Sequence, residues 1–181
     1  MKTSLERLNA LSQEEAESEL LKACGSTLWA RRMAKERPSH NLQELFEKAD
    51  AVWWALDEED WLEAFSRHPK IGEKKSERAQ AEEAGKWSAE EQSGTRSADE
   101  DVRRELAALN REYLQKFGYI YIICATGKTA YEMLAILKER LMNDAEIEIR
   151  NAAEEQRKIT QLRLKKLIER QNTELGTQDS E

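Results

Sequence analysis

Amphipathic helical patterns, each with its own start and stop signals, recur along this 181-residue chain and constrain its fold more than any other feature. Ser12 and Glu15 form a capping box ahead of one such pattern, and Gly25 follows its end. Only seven glycines and two prolines are available to interrupt the patterns, and 36% of the residues are charged. The sequence therefore predicts an all-α fold: a single compact helical domain of about eight helices over residues 1–170, followed by a disordered polar tail over residues 171–181.

The stretch from Tyr119 to Ala125 does not fit a helical pattern. Its β-branched and aromatic side chains favour an extended, buried backbone, but the sequence offers no second strand to pair with it. We expect one extended internal segment that runs through a helical core, after a helix stopped by Gly118. Its backbone amides and carbonyls need other partners, and a polar ligand is one candidate.

Charge and cysteine content exclude several classes of function. The net charge of −7 is spread over alternating acidic and basic residues, so we expect no nucleic-acid partner. No apolar run approaches the roughly 20 residues that cross a bilayer, and the amino terminus lacks a signal-peptide core, so we expect a cytoplasmic protein without a membrane partner. Cys24 and Cys124 lie too far apart for zinc-ligand spacing and are expected to be buried thiols.

His68 stands directly before Pro69, at the end of a helical pattern that carries Trp61 and Phe65. Because proline disfavours helical geometry at the preceding residue, His68 should leave the helix there. An imidazole, with an ordinary pKa of about 6.5, can transfer protons near neutral pH when it is held on a stiff turn. A capping or packing role is the alternative for a His-Pro pair at a helix end.

Two further patterns have structural explanations. Five tryptophans fall between Trp29 and Trp87, and such a cluster favours bulky packing over a ligand cage. Gly127, Lys128 and Thr129 resemble the end of a phosphate-binding loop, but Ile122 stands where the first glycine of that motif belongs. We therefore expect a helix that begins at Thr129 and no nucleotide site.

Several short motifs occur in a specific order between about residues 5 and 168. They are Cys24-Gly25-Ser26 with Trp29, Arg37-Pro38, Asp60-Trp61-Leu62, His68-Pro69-Lys70-Ile71-Gly72, Glu91-Gln92, Phe117-Gly118-Tyr119, Cys124-Ala125, Gly127-Lys128-Thr129, Arg140-Leu141, Asn143-Asp144 and Leu162-Arg163-Leu164. Together they resemble the OHCU decarboxylase family, whose members act on 2-oxo-4-hydroxy-4-carboxy-5-ureidoimidazoline (OHCU) in urate breakdown.

This resemblance implies an all-helical enzyme, usually a homodimer, that needs neither a metal nor an organic cofactor. It implies decarboxylation of OHCU to (S)-allantoin and carbon dioxide, with upstream urate-pathway enzymes as further possible partners. By the same resemblance the catalytic residues are His68 and Glu91. The substrate-binding residues are Pro69, Ser88, Glu91, Ile120, Tyr121, Ile122 and Arg163.

The implied chemistry gives each residue type a physical role. His68 is the expected general acid or base. Glu91 either orients His68 or accepts hydrogen bonds from the ureido group, and Ser88 can both donate and accept. Arg163 offers a planar fork for the substrate carboxylate or a ring oxygen, in an orienting role, because a tight grip on the leaving group stabilises the ground state.

Two other functions remain compatible with the residues. One is a helical interaction module whose tryptophan-rich face binds a protein partner. The other is a related enzyme that acts on a different ureide or imidazoline.

Overall fold

The computed structural model describes residues 4–68 and 100–176, with side chains described through Glu169. Within these two ranges the chain forms eight helices and no strand. They are α1 (Ser4–Ala10), α2 (Gln13–Cys24), α3 (Thr27–Lys35), α4 (Leu42–Trp54), α5 (Glu58–Ser66), α6 (Glu100–Phe117), α7 (Ala130–Arg140) and α8 (Ala145–Gly176). The predicted all-α class is confirmed.

Capping residues set several of the helix boundaries. Ser12 Oγ accepts from the Glu15 amide at 3.2 Å, and the Glu15 carboxylate accepts from the Ser12 amide at 2.9 Å. Gly25 then ends α2 in the left-handed region, with φ of 89°. Thr129 and Glu132 form the same reciprocal box at the start of α7. Thr129 is thus an N-cap, as predicted.

Contacts divide the chain into two compact units, Met1–Glu63 with Arg157–Glu181, and Ala64–Gln156. In the first unit α3 packs against α2 and α4. The indole N–H of Trp29 donates to the Ala49 carbonyl, and that of Trp61 donates to the Trp53 carbonyl, each at 3.1 Å. All three tryptophans are buried. The packing prediction is confirmed for them, whereas Trp54 is 42% exposed and Trp87 lies outside the described residues.

The second unit has its own apolar core, built where α7 packs against α6. The core residues are Val102, Leu106, Tyr113, Tyr121, Ile123, Ala125, Ala130, Met133, Leu134 and Leu137. Gly118 ends α6 with φ of 82°, which lets the chain turn into the segment 119–125. This segment forms neither helix nor strand, and Tyr121 through Ala125 are buried. The predicted buried connection through a helical core is confirmed.

Other expectations from the sequence have separate outcomes. Cys24 and Cys124 are buried free thiols, as predicted. None of the helices in the described ranges is both long and apolar enough to span a bilayer. Helix α8 continues to Gly176, past the boundary suggested at residue 170. The 1–170 domain and the 171–181 tail stay predictions, and residues 177–181 lie outside the described ones.

Candidate active site

Helix α5 carries the chain to His68. The helix ends at Ser66, and the amides of Arg67 and His68 then donate to the carbonyls of Ala64 and Phe65 at 3.2 and 3.1 Å. These bonds span three residues instead of four and tighten the last turn. His68 is half-buried and lies just outside the helix. The predicted departure from helical geometry before proline is confirmed.

The imidazole of His68 contacts a buried glutamine of α8. His68 Nε2 lies 2.6 Å from Oε1 of Gln156, whose side chain is fully buried. The two residues are 88 positions apart in sequence and belong to the same compact unit. Sequence reasoning missed Gln156, because a glutamine inside a long amphipathic helix carries no local motif.

The residue before Gln156 contacts the buried segment 119–125. Glu155 accepts a hydrogen bond from the Cys124 amide at 2.7 Å, and the ammonium group of Lys128 donates to the Cys124 carbonyl at 2.8 Å. Side chains therefore bond to the backbone amide and carbonyl that, in a sheet, would pair with a neighbouring strand. Consecutive residues of α8 thus hold both the segment and His68.

A buried polar cluster bonds to the same segment from α7. Arg140 Nη1 donates to the Ile122 carbonyl at 2.6 Å, and its Nε donates to Glu148 at 2.7 Å. Glu148, which is fully buried, also accepts from the Tyr113 hydroxyl and from Asn143. Burial, as the largest cause, raises the pKa of Tyr113 well above its ordinary range, so the phenol remains a donor. Sequence reasoning included Arg140 in a family motif but gave it no site role.

The other predicted substrate-binding positions are distributed as follows. Tyr121 and Ile122 are buried and Ile120 is half-buried, all in the unit that contains His68. Arg163 is buried on the part of α8 that belongs to the first unit. Pro69, Ser88 and Glu91 lie outside the described residues. Their roles, and the role of the backbone over residues 120–122 in holding substrate, stay predictions.

Near Arg163, the first unit contains a buried thiol. Burial raises the pKa of Cys24 to about 12, against the smaller opposing effects of its hydrogen bonds with Ser26 and Thr160 and of the Arg163 charge. At neutral pH the group is therefore an un-ionised thiol and a poor nucleophile. Among the described residues no group of three or more His, Cys, Asp or Glu side chains could hold a metal ion.

Comparisons with known proteins agree with this architecture. The family model for OHCU decarboxylase matches residues 9–165. The uric acid degradation bifunctional protein TTL of Arabidopsis thaliana is 37% identical over 158 residues, which are 87% of this chain and 49% of that protein. The chain thus spans about half the length of this relative. The 2-oxo-4-hydroxy-4-carboxy-5-ureidoimidazoline decarboxylase of Haloferax volcanii is 29% identical over 135 residues, 75% of this chain and 77% of that protein.

A solved structure matches over nearly its whole length. A crystal structure of OHCU decarboxylase in the presence of (S)-allantoin has a TM-score of 0.72 and 39% sequence identity, covering 83% of this chain and 97% of that one. The matched family range contains His68, the buried segment 119–125 and Arg163. With this order of motifs on an all-helical fold, the chain belongs to the OHCU decarboxylase family.

Proposed function

We propose that this chain decarboxylates OHCU to (S)-allantoin and carbon dioxide in urate degradation. The observation that carries the proposal is the 39% identity and 97% coverage of an OHCU decarboxylase solved in the presence of (S)-allantoin. Proteins that share a fold can differ in function, so the proposal also needs support from the site itself. The half-buried His68 and the buried segment 119–125, which belong to the same compact unit, provide that support.

The proposed reaction needs one well-placed proton. The bond between C4 and its carboxylate breaks, carbon dioxide leaves, and the electron pair forms a C4=C5 double bond while the former C5=N nitrogen takes up a proton. The hydroxyl on C4 then gives up its proton to become the carbonyl of allantoin, and C5 gains a proton on one face, which sets the configuration of the product. Proton transfer by a positioned side chain is typically worth about 10² to 10⁴ in rate.

His68 is the proposed general acid and base. It lies half-buried at the end of α5. Its ring contacts the fully buried side chain of Gln156 on α8, which holds the ring in place. Glu91 orients His68 or accepts hydrogen bonds from the ureido group, while Ser88 both donates and accepts in the pocket. Arg163 orients the substrate carboxylate or a ring oxygen, since its planar fork matches either group.

Backbone groups near Ile120, Tyr121 and Ile122 are proposed to contact the substrate ring. Two observations support this role. The segment is not paired in a sheet, and side chains from α7 and α8 bond to its backbone at Ile122 and Cys124. A backbone held in this way is preorganised to present polar groups to a ligand.

The proposed enzyme is a cytoplasmic homodimer that acts without a metal or organic cofactor, with upstream urate-pathway enzymes as further partners. Light scattering after size exclusion tests the dimer, with a mass near 42 kDa expected from twice the chain mass of 21.0 kDa. Full activity after exhaustive chelation and dialysis is expected for the cofactor-independent reaction.

A tryptophan-rich docking module is the alternative from another class. Of the tryptophans that the structure describes, Trp29, Trp53 and Trp61 are buried and only Trp54 exceeds one-third exposure. A large aromatic docking face would need several exposed rings. The burial of these three side chains favours the enzyme.

Freshly prepared OHCU tests the proposed activity. The chain should accelerate the loss of the substrate's ultraviolet absorbance over the spontaneous rate. Circular dichroism of the product should show (S)-allantoin alone, because protonation from one face excludes the other enantiomer. A rate equal to that of buffer, or a racemic product at the accelerated rate, contradicts the proposal.

A further inference from the structure

We infer that Gln156 is a positioning residue that fixes the tautomer of His68, so that Nδ1 is the ring nitrogen that exchanges the proton with substrate. The catalytic part of this inference rests on the proposed function, while the tautomer itself does not.

The contact between the two side chains sets the hydrogen position. Oε1 of Gln156 lies 2.6 Å from His68 Nε2, which is a short hydrogen bond. An amide oxygen only accepts, so the facing nitrogen must carry the hydrogen. In a neutral imidazole the other nitrogen, Nδ1, then holds the basic lone pair.

The surroundings of Gln156 make it a rigid acceptor. Its side chain is fully buried, and so are Ala152 and Ala153 one turn earlier on α8. Glu155, its neighbour on α8, accepts from the Cys124 amide, which holds this part of the helix against the buried segment. A site built on a well-packed helix holds its geometry better than one on a loop.

An uncharged acceptor suits a residue that must both take up and release a proton. In the imidazolium form both ring nitrogens carry hydrogens, and Nε2 still donates to Gln156. The hydrogen bond to Gln156 is therefore the same in both protonation states, and only Nδ1 changes. A carboxylate at this position would instead favour the charged ring.

Nitrogen NMR of the imidazole rings tests the tautomer directly in the whole chain. The chain has two histidines, so spectra of a His40→Gln variant assign His68 without ambiguity. At a pH where the ring is neutral, the ¹⁵N shifts should report a protonated Nε2 and an unprotonated Nδ1. A protonated Nδ1 in the unsubstituted chain would show that the amide nitrogen faces the ring, and overturns the inference without any variant at position 156.

A matched pair of substitutions then separates positioning from packing. Gln156→Met keeps the length but removes the acceptor, and Gln156→Glu restores an acceptor oxygen. Because proton transfer is worth about 10² to 10⁴, losing the tautomer preference should lower kcat of Gln156→Met by about 10- to 100-fold, with KM little changed. The NMR spectrum of this variant should show mixed tautomers, whereas Gln156→Glu should keep the hydrogen on Nε2.

These experiments distinguish a failure of the Gln156 inference from a failure of the proposed function. If the unsubstituted chain does not decarboxylate OHCU, the proposed function fails while the NMR result still tests the tautomer. If the chain is active and Gln156→Met retains both its kcat and a pure Nε2-protonated ring, Gln156 does not position His68.

Discussion

Arg140 donates a 2.6 Å hydrogen bond from its guanidinium to the backbone carbonyl of Ile122. The same side chain forms a buried ion pair with Glu148 at 2.6 Å, and its guanidinium lies 4.8 Å from the centre of the Tyr121 ring. Arg140 thus bonds to a backbone carbonyl of the buried segment and pairs directly with Glu148, which links α7 to α8. The buried guanidinium of Arg140 donates to a carbonyl that, in a sheet, would accept from a neighbouring strand.

Removing Arg140 should destabilise the fold strongly. Arg140→Met leaves the Glu148 carboxylate buried without its ion partner, and breaking such a pair costs about 3–5 kcal/mol. Urea unfolding followed by tryptophan fluorescence measures this loss in the free energy of unfolding.

Arg104 provides the matched control for Arg140. It pairs with Glu100 and Asp101 on α6, and its side chain is 71% exposed. Exposed pairs contribute about 0–1 kcal/mol, so Arg104→Met should change the free energy of unfolding little. Equal effects of the two substitutions would contradict the structural role of Arg140.

The N-cap of α7 should contribute measurably to stability. Thr129 Oγ1 accepts from the Glu132 amide at 3.2 Å, and Thr129→Ala removes this acceptor. The expected loss is about 1 kcal/mol, which thermal and urea unfolding can resolve. Thr129→Ser retains the hydroxyl and should recover most of the loss. A serine variant as unstable as the alanine variant would indicate that packing of the methyl group matters more than the cap.

The buried thiol of Cys24 should make stability fall at alkaline pH. Its pKa is raised from 9.0 to about 12, chiefly by burial, so between these values the unfolded thiol is ionised while the folded one is not. The folded state then binds more protons, and its contribution to stability, complete below pH 9, is lost as the pH rises towards 12.

A Cys24→Ala variant isolates this effect. From pH 9 upward the free energy of unfolding of the unsubstituted chain should fall more steeply than that of the variant, by about 1 kcal/mol per pH unit. Other groups that ionise in this range on unfolding, including Tyr113, contribute equally to both proteins and cancel in the comparison. Parallel curves for the two proteins would contradict the assignment.

Local signals in the sequence were sufficient for several helix boundaries. Ser12 and Thr129 act as N-caps, and Gly25 and Gly118 end helices, because these effects depend on residues within one turn. The buried, non-helical character of segment 119–125 was also predictable from its composition. The end of α8 was harder to place, since the polar residues after Glu169 are compatible with either a helix or a tail.

The candidate site was only partly predictable, for a physical reason. His68 could be found because proline acts on its immediate neighbour. The partners of His68 and Ile122 could not, since Gln156 and Arg140 approach them only through tertiary packing, across 88 and 18 positions. Glutamine and arginine inside amphipathic helices carry no spacing signal that names such partners. Pro69, Ser88, Glu91 and Arg163 rest on the family resemblance as site residues and remain predictions.

The decarboxylation rate of His68→Ala, compared with that of His40→Ala, tests the central claim most directly. His40 is the other histidine of the chain and is exposed, with its backbone amide bonded to Glu44. Loss of the proposed acid and base should lower kcat for OHCU by at least about 10²-fold in His68→Ala, while His40→Ala keeps the full rate. Full activity of a folded His68→Ala variant would contradict the assignment of His68 as the catalytic residue.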